Sequence, residues 1–351
     1  MLPLWLSLSL LLPVWAQSNT TNATSATQLP FNITEATVEG DANYLAPTFP
    51  LLPFNKYSGN PILTPNPANN WESTYLYNPT AIVLNETIFL LYRAQNESKT
   101  SSIGLAWSTD GVNFTRLAEP ILYATEPWEQ IGGTEDPRIV RINNTFYMTY
   151  TAFDNSSAQL CMASSTNLLN WTKTPPLIDV PSPRLNHSKS GAIVSEPTAD
   201  GLYHMYFGDS FFYHATSPDL RNWTALPPDN YFAAPLNPWE NRLIEPGPAP
   251  IKTRDGYPQN QYSVGQMLID PTLSFLPNIT VPDGTYQPAL RNGPVARVQN
   301  PLLVPEASNE QTGQVDQVVF AEGLVQFKGK WYLYFGQGDS ELGVAIADVQ
   351  P

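Results

Sequence analysis

From about Thr48 to the end, short apolar runs alternate with turn residues, and four of the runs are dominated by aromatic side chains. They are Ile88-Phe89-Leu90-Leu91-Tyr92, Phe146-Tyr147-Met148-Thr149-Tyr150, Leu202-Tyr203-His204-Met205-Tyr206 and Trp331-Tyr332-Leu333-Tyr334-Phe335. Runs of this length between turn signals read as β-strands, with the aromatics filling the core between packed sheets. The 35 Pro and 20 Gly residues discourage long helices. An all-β fold is expected.

A repeat sharpens this. Trp107 to Phe114, Ser164 to Trp171 and Thr216 to Trp223 share Ser/Thr-x-Asp/Asn, a short spacer, then Asn and an aromatic. Their asparagines, Asn113, Asn170 and Asn222, recur at roughly 50 to 60 residues, an interval that suits a four-stranded propeller blade. The aromatic strands mark four blades, and the stretch between Tyr206 and Tyr334 leaves room for another around Tyr262 to Ile269. The expectation is a five-bladed β-propeller over residues 48–351, with a central funnel on which strand ends converge.

The chain before it divides in two. Met1 to Ala16 is apolar and ends in Val14 and Ala16, placed as a small-residue cleavage site, so residues 1–16 read as a signal peptide. The run is shorter than the roughly 20 residues a membrane span needs, and no membrane association is expected after cleavage. Residues 17–47, rich in Ser, Thr and Asn, read as a glycosylated, disordered leader. Asn-x-Ser/Thr acceptors begin at Asn19, Asn22, Asn32, Asn85, Asn96, Asn113, Asn143, Asn155, Asn170, Asn186, Asn222 and Asn278. Together these features predict a secreted, extracellular glycoprotein of eukaryotic, fungal source.

Charge and rare residues narrow the chemistry. A net charge of −14 with 17 Lys and Arg repels phosphate backbones and argues against nucleic acid. Cys161 is the single cysteine, so no disulfide forms within the chain, and its apolar neighbours suggest an inert buried thiol. His187, His204 and His214 lack metal-ligand spacing; no metal and no cofactor are expected.

The candidate chemistry lies at Gly132-Gly133-Thr134-Glu135-Asp136-Pro137-Arg138-Ile139, just before the strand from Thr145 to Ala152. Pro137 bars a helix and is expected to push Asp136 towards an extended conformation at a strand mouth. Six motifs then follow in order: Asn60-Pro61-Ile62-Leu63-Thr64-Pro65, Tyr77-Asn78-Pro79-Thr80-Ala81, Leu91-Tyr92-Arg93-Ala94, Ser102-Ile103-Gly104-Leu105-Ala106, Glu135-Asp136-Pro137-Arg138 and Gly336-Gln337-Gly338-Asp339. By this ordered set, the chain from about Asn60 to Asp348 resembles glycoside hydrolase family 130, the β-mannoside phosphorylases and mannosidases. The resemblance implies a five-bladed propeller and an inverting attack on a β-mannosidic bond. Asp136 matches the family's proton donor, which protonates the leaving oxygen through a mannose hydroxyl and must hold its proton near neutral pH. Asn78, Arg93 and Asp339 match positions that hold the terminal mannose, and Glu135 is counted with them. Arg138 either orients Asp136 or meets substrate.

Around the phosphate pocket the match degrades. Lys189 fits one pocket lysine, but Gln159 stands where an arginine is expected, with Lys173 as a partial substitute. Asp255-Gly256 is not followed by the family's apolar strand ending in Tyr-His-Gly, so that strand and its His are expected to be missing. Glu245 occupies a site where phosphorylases tend to have a small residue. A carboxylate there would repel phosphate and could activate water, as an inverting hydrolase requires; Glu240 is a second candidate. The first reading is therefore a secreted inverting β-mannoside hydrolase acting on a carbohydrate substrate. The alternatives are a phosphorylase using inorganic phosphate and a non-catalytic mannan-binding propeller, against which intact Asp136 and Arg93 count.

Overall fold

The computed structural model describes residues 24–51, 53–178, 188–227, 231–240, 244–253, 257–259, 264–271 and 293–350. The signal peptide, Asn19, Asn22, Asn186, His187, Asp255-Gly256, Tyr262 and Asn278 lie outside them. The architecture is all-β, with one turn of α-helix at Ser308–Gln311 and three short 3-10 turns among the described residues.

Two short strands, β1 (Thr24–Ala26) and β2 (Asn55–Lys56), precede a series of antiparallel meanders. The first is β3 (Tyr75–Leu84), β4 (Thr87–Gln95), β5 (Ser101–Ser108) and β6 (Thr115–Leu117). The second is β7 (Gly133–Ile142), β8 (Thr145–Phe153), β9 (Ala158–Ser165) and β10 (Thr172–Thr174). A single parallel contact, Ser101 to Gly133, joins these two. The third is β11 (Ala192–Ile193), β12 (Tyr203–Phe207), β13 (Tyr213–Ser217) and β14 (Thr224–Ala225). Three strands follow: β15 (Tyr257–Gln259), β16 (Met267–Ile269) and β17 (Ala296–Arg297). The strand that follows Gly256 is only three residues long, Tyr-Pro-Gln, and is not the apolar Tyr-His-Gly strand expected to be missing. The last meander is β18 (Val319–Phe327), β19 (Lys330–Gln337) and β20 (Glu341–Asp348), and β2 completes it on the outer edge.

The aromatic runs do what their pattern predicts. Phe89, Phe146, Tyr206 and Trp331 are fully buried, in apolar clusters that each lie between two neighbouring meanders. One of these joins the first meander to the last, through Ile88, Tyr92, Tyr334 and Val344. Cys161 is buried and free, and burial pushes its thiol up to about 12, which keeps it inert.

The repeat seen in sequence is a turn. Asp110, Asn167 and Asp219 each accept the main-chain N–H groups two and three residues on, as short Asx side chains do at hairpin ends. Asn113 and Asn222 also donate their side-chain amides to Asp110 and Asp219. Turn geometry therefore already accounts for an Asn at two of the glycan acceptors.

A second repeat escaped the sequence reading. Glu72, Glu129, Glu240 and Glu310 each lie in a one-turn helix at a meander's corner and are buried. Each pairs with a cation: Arg116 at 2.9 Å, Lys173 at 2.6 Å, Arg297 at 3.4 Å and Lys56 at 2.6 Å. Glu129, Glu240 and Glu310 also accept main-chain N–H groups from the preceding loop, and Glu72 takes the Tyr92 hydroxyl at 2.9 Å. Two expectations are corrected. Glu240 is a corner residue and not a candidate base, and Lys173 is committed to Glu129, Tyr123 and Thr125 and not to a phosphate pocket.

The polar leader is corrected as well. Residues 24–47 lie along the domain: β1 pairs with β6, and Leu29, Phe31 and Ile33 pack into the core between the first two meanders. These apolar anchors, with hydrogen bonds such as Arg141 to Thr37 O at 2.6 Å and Gly40 N to Val83 O at 2.9 Å, hold an otherwise polar strap. Further on, Glu39, Gly40, Asp41 and Tyr44 line a cavity of about 170 Å³ that Arg141, Glu322 and Trp331 also line.

Candidate active site

The inner strands break step at matching places. Register shifts fall between Tyr77 and Thr80 in β3, between Glu135 and Arg138 in β7, and between Ala321 and Gly323 in β18. A bulge lets Pro79 and Pro137 sit inside strands and re-aims the residue before each. Asn78 and Asp136 take left-handed φ values of 51° and 52° there, so Asp136 is not extended as Pro137 alone suggests. Asn and Asp tolerate this region better than most side chains, at a cost of order 1–3 kcal/mol.

The bulges bring the predicted residues together. Asp136 Oδ1 accepts from Asn78 Nδ2 at 2.7 Å and from Arg93 NH1 at 3.0 Å. Arg93 spans the acid pair: its NH2 meets Glu135 Oε1 at 2.5 Å, its Nε donates to Ser101 Oγ at 2.9 Å, and its guanidinium lies 4.4 Å from the Tyr77 ring centroid. On the other side Lys189 Nζ is 3.7 Å from Asp136 Oδ2 and 3.3 Å from Glu245 Oε1. Ser190, which the sequence reading passed over, donates to Glu245. Glu245 thus faces the same cluster as Asp136. One ammonium touches both, so their oxygens lie nearer than the upper end of the roughly 6.5–9.5 Å used by inverting hydrolases.

Arg138 is buried. Its Nε donates to Gly247 O at 2.8 Å, NH1 to Asp136 O at 3.2 Å and NH2 to Pro246 O at 2.5 Å, and NH2 also pairs with Glu322 Oε1 at 2.9 Å. Of the two roles left open for it, this placement suits orientation. Asp339, in the turn after β19, lies within electrostatic reach of Arg93 and Asp136. Gln159, half-buried in β9, flanks the Ala158 and Leu160 main chain that anchors Ser188 next to Lys189.

Three cations thus serve five carboxylates. Burial pushes Asp136 up, but Arg93, Lys189 and Arg138 outweigh it and leave the carboxyl below its usual range. The proton expected at Asp136 belongs to the sugar-filled site; in the protein alone the neighbouring cations favour the ionised form. Burial dominates at Glu135, Glu245 and Glu322, which are all raised, and it lifts Asp339 to about 6. Lys189 moves up, since Glu245 and Asp136 outweigh the effect of its burial. Among the described residues no cluster of three or more His, Cys, Asp or Glu side chains could hold a metal ion, and no helix is long and apolar enough to cross a membrane. His204 and His214 stack with Nδ1 to Nε2 at 3.0 Å, and His204 Nε2 also meets Thr198 Oγ1 at 2.9 Å.

Ser190 and Glu322 were legible only as a pattern. Asn78-Pro79, Asp136-Pro137, Ser190-Gly191, Glu245-Pro246 and Glu322-Gly323 each set a polar residue before Pro or Gly, once per meander.

Comparison with known proteins identifies the family. The 1,2-beta-oligomannan phosphorylase of Thermoanaerobacter sp. (strain X514) is 30% identical over 322 residues, 86% of this chain and 99% of its own. The beta-1,2-mannobiose phosphorylase of the same organism is 31% identical over 325 residues, covering 84% and 96%. A solved structure reported with glycoside hydrolases that target beta-1,2 mannosidic linkages in Candida mannan superposes with a TM-score of 0.74 at 29% identity, covering 88% of this chain and 99% of that one. The two phosphorylases are bacterial and lend no support to a fungal source. Residues 47–351 match the family model described as beta-1,4-mannooligosaccharide phosphorylase, and the chain belongs to glycoside hydrolase family 130.

Proposed function

We propose that this protein cleaves β-mannosidic bonds in short manno-oligosaccharides by inverting phosphorolysis, on a five-bladed propeller whose blades are the five meanders. The observation that carries the reading is the Asn78–Arg93–Lys189 grip on Asp136 at the bulge of β7. Asn78, Arg93, Glu135 and Asp339 hold the terminal mannose. A phosphate oxygen attacks the anomeric carbon from the face opposite the leaving group, and the glycosidic C–O bond breaks. The leaving oxygen takes a proton relayed from Asp136 through a sugar hydroxyl, giving α-mannose 1-phosphate and a shortened oligosaccharide. Electrostatics favours an anionic acceptor. Phosphate docked on Lys189 would offset the positive field that keeps Asp136 ionised, so the acid would be armed when the acceptor is present.

The relatives' activities support phosphorolysis over the hydrolysis that sequence alone put first. Hydrolysis stands as the second reading because of Glu245. Its Oε1 already occupies Lys189, and its buried Oε2 has no hydrogen-bond partner among the described residues, which suits a base that receives water. Incubation with β-1,2- and β-1,4-mannobiose, with and without phosphate, separates the readings. Phosphate-dependent mannose 1-phosphate is expected; free mannose at a phosphate-independent rate would establish hydrolysis. Neither product, with mannan still bound, would leave only a binding propeller. We also infer secretion from Met1 to Ala16 and glycans on exposed acceptors such as Asn32, Asn85 and Asn143. An unchanged mass after enzymatic deglycosylation of protein from a eukaryotic host would remove the glycans.

A further inference from the structure

Glu322 belongs to none of the sugar-holding positions, yet three parts of the site meet at its partner. Arg138 rises from β7 two residues after the proton donor. Its guanidinium holds the main chain of Asp136 on one side and of Pro246 and Gly247 on the other, and the Glu322 carboxyl from β18 pairs with it from a third direction at 2.9 Å, by proximity and not by a hydrogen bond. Both side chains are essentially inaccessible, at 1% and 0% exposure, so neither meets substrate directly. A rigid guanidinium fork suits such a junction because its N–H groups point in fixed directions.

The alternative partner is close. Glu245 Oε1 lies 4.0 Å from the same Arg138 nitrogen that meets Glu322. Without the Glu322 carboxyl group at 2.9 Å, a buried Arg138 would draw on Glu245 and pull it from Lys189 and Ser190. We propose that Glu322 is a positioning residue, which through Arg138 fixes the Asp136 bulge against the Glu245-Pro246-Gly247 loop and keeps Glu245 turned towards Lys189. The inference rests on the reading that this site cleaves mannosides. It adds a residue that sets the spacing between proton donor and acceptor without touching either.

The test uses the full chain with mannobiose as donor. Glu322→Gln keeps the shape and replaces the carboxyl by an amide, one end of which can only donate. Because misplacement of about 1 Å can cost ~10²-fold, kcat should fall by roughly 10- to 100-fold. KM for mannobiose should stay within about 3-fold, since Asn78, Arg93 and Asp339 are untouched. Arg138→Lys, which keeps charge but loses the fork, should show the same split. The double variant should be no worse than the poorer single one, as expected of residues acting as a unit. Should Glu322→Gln fail to fold, the split in Arg138→Lys decides alone. Wild-type kcat in a folded Glu322→Gln, a loss confined to KM, or additive effects would overturn the proposal. A wild-type protein that cleaves no mannoside would instead sink the parent reading.

Discussion

The molecule buries glutamates in two settings with opposite outcomes. At the meander corners Glu72, Glu129, Glu240 and Glu310 each own a cation and further hydrogen-bond donors, and at Glu310 this outweighs burial and holds the carboxyl below its usual range. Around Asp136 the carboxylates outnumber the cations, and Glu245 and Glu322 are raised with oxygens left without hydrogen-bond partners. Residue type and burial are the same. What differs is satisfaction: a matched buried pair locks a loop in place, whereas a shared, undersupplied set can exchange protons and change partners when an anion or sugar arrives.

The largest expected effect tests the undersupplied side. Asp136→Asn keeps the acceptor for Asn78 and removes the proton donor, so turnover of mannobiose should fall by about 10²- to 10⁴-fold. The thermal midpoint should barely move, and a folded variant with wild-type turnover would reject Asp136 as the acid.

On the matched side the effect should appear in stability and not in chemistry. Arg116→Ala strands the buried Glu72 carboxylate, and loss of one partner of such a pair costs about 3–5 kcal/mol. Denaturant titration should show that loss, while kcat per folded molecule stays at the wild-type level. A lowered kcat with intact stability would erase the distinction between the two settings.

Glu245→Gln sharpens the comparison around Asp136. Under phosphorolysis it frees Lys189, so KM for phosphate should drop several-fold, in line with the roughly 1 kcal/mol such charge contacts carry. A collapse of turnover with no effect on phosphate affinity would shift the assignment to hydrolysis with Glu245 as base.

The smallest expected change is in acid stability. Burial, and then His204, push His214 down to about 3 from the usual 6.5. The unfolded ring takes up a proton near 6.5 and the folded ring does not, so this contribution is intact above pH 6.5 and is lost as pH falls towards 3. His214→Phe should flatten that part of the stability profile; an unchanged slope between about pH 6 and 4 would show that the carboxylates carry all of it.

Sequence alone determined the β-class, the strands and their aromatic core, because two-residue alternation and turn chemistry act over a few residues. The ordered motifs also named Asn78, Arg93, Asp136 and Asp339, the phosphate-pocket match named Lys189, and Glu245 was legible as a departure at a marked place. Charge ownership was not legible. Glu240 and Glu245 stand five residues apart, yet one is a corner pair and the other lies at the reacting centre. Lys173 was assigned to phosphate and belongs to Glu129. Arg138 and Glu322 meet across 184 residues. In the protein alone, cations from other strands favour the ionised form of Asp136. Strand identity is written in neighbours along the chain, while a buried charge takes its state from whichever elements close around it, and only the tertiary structure sets that company.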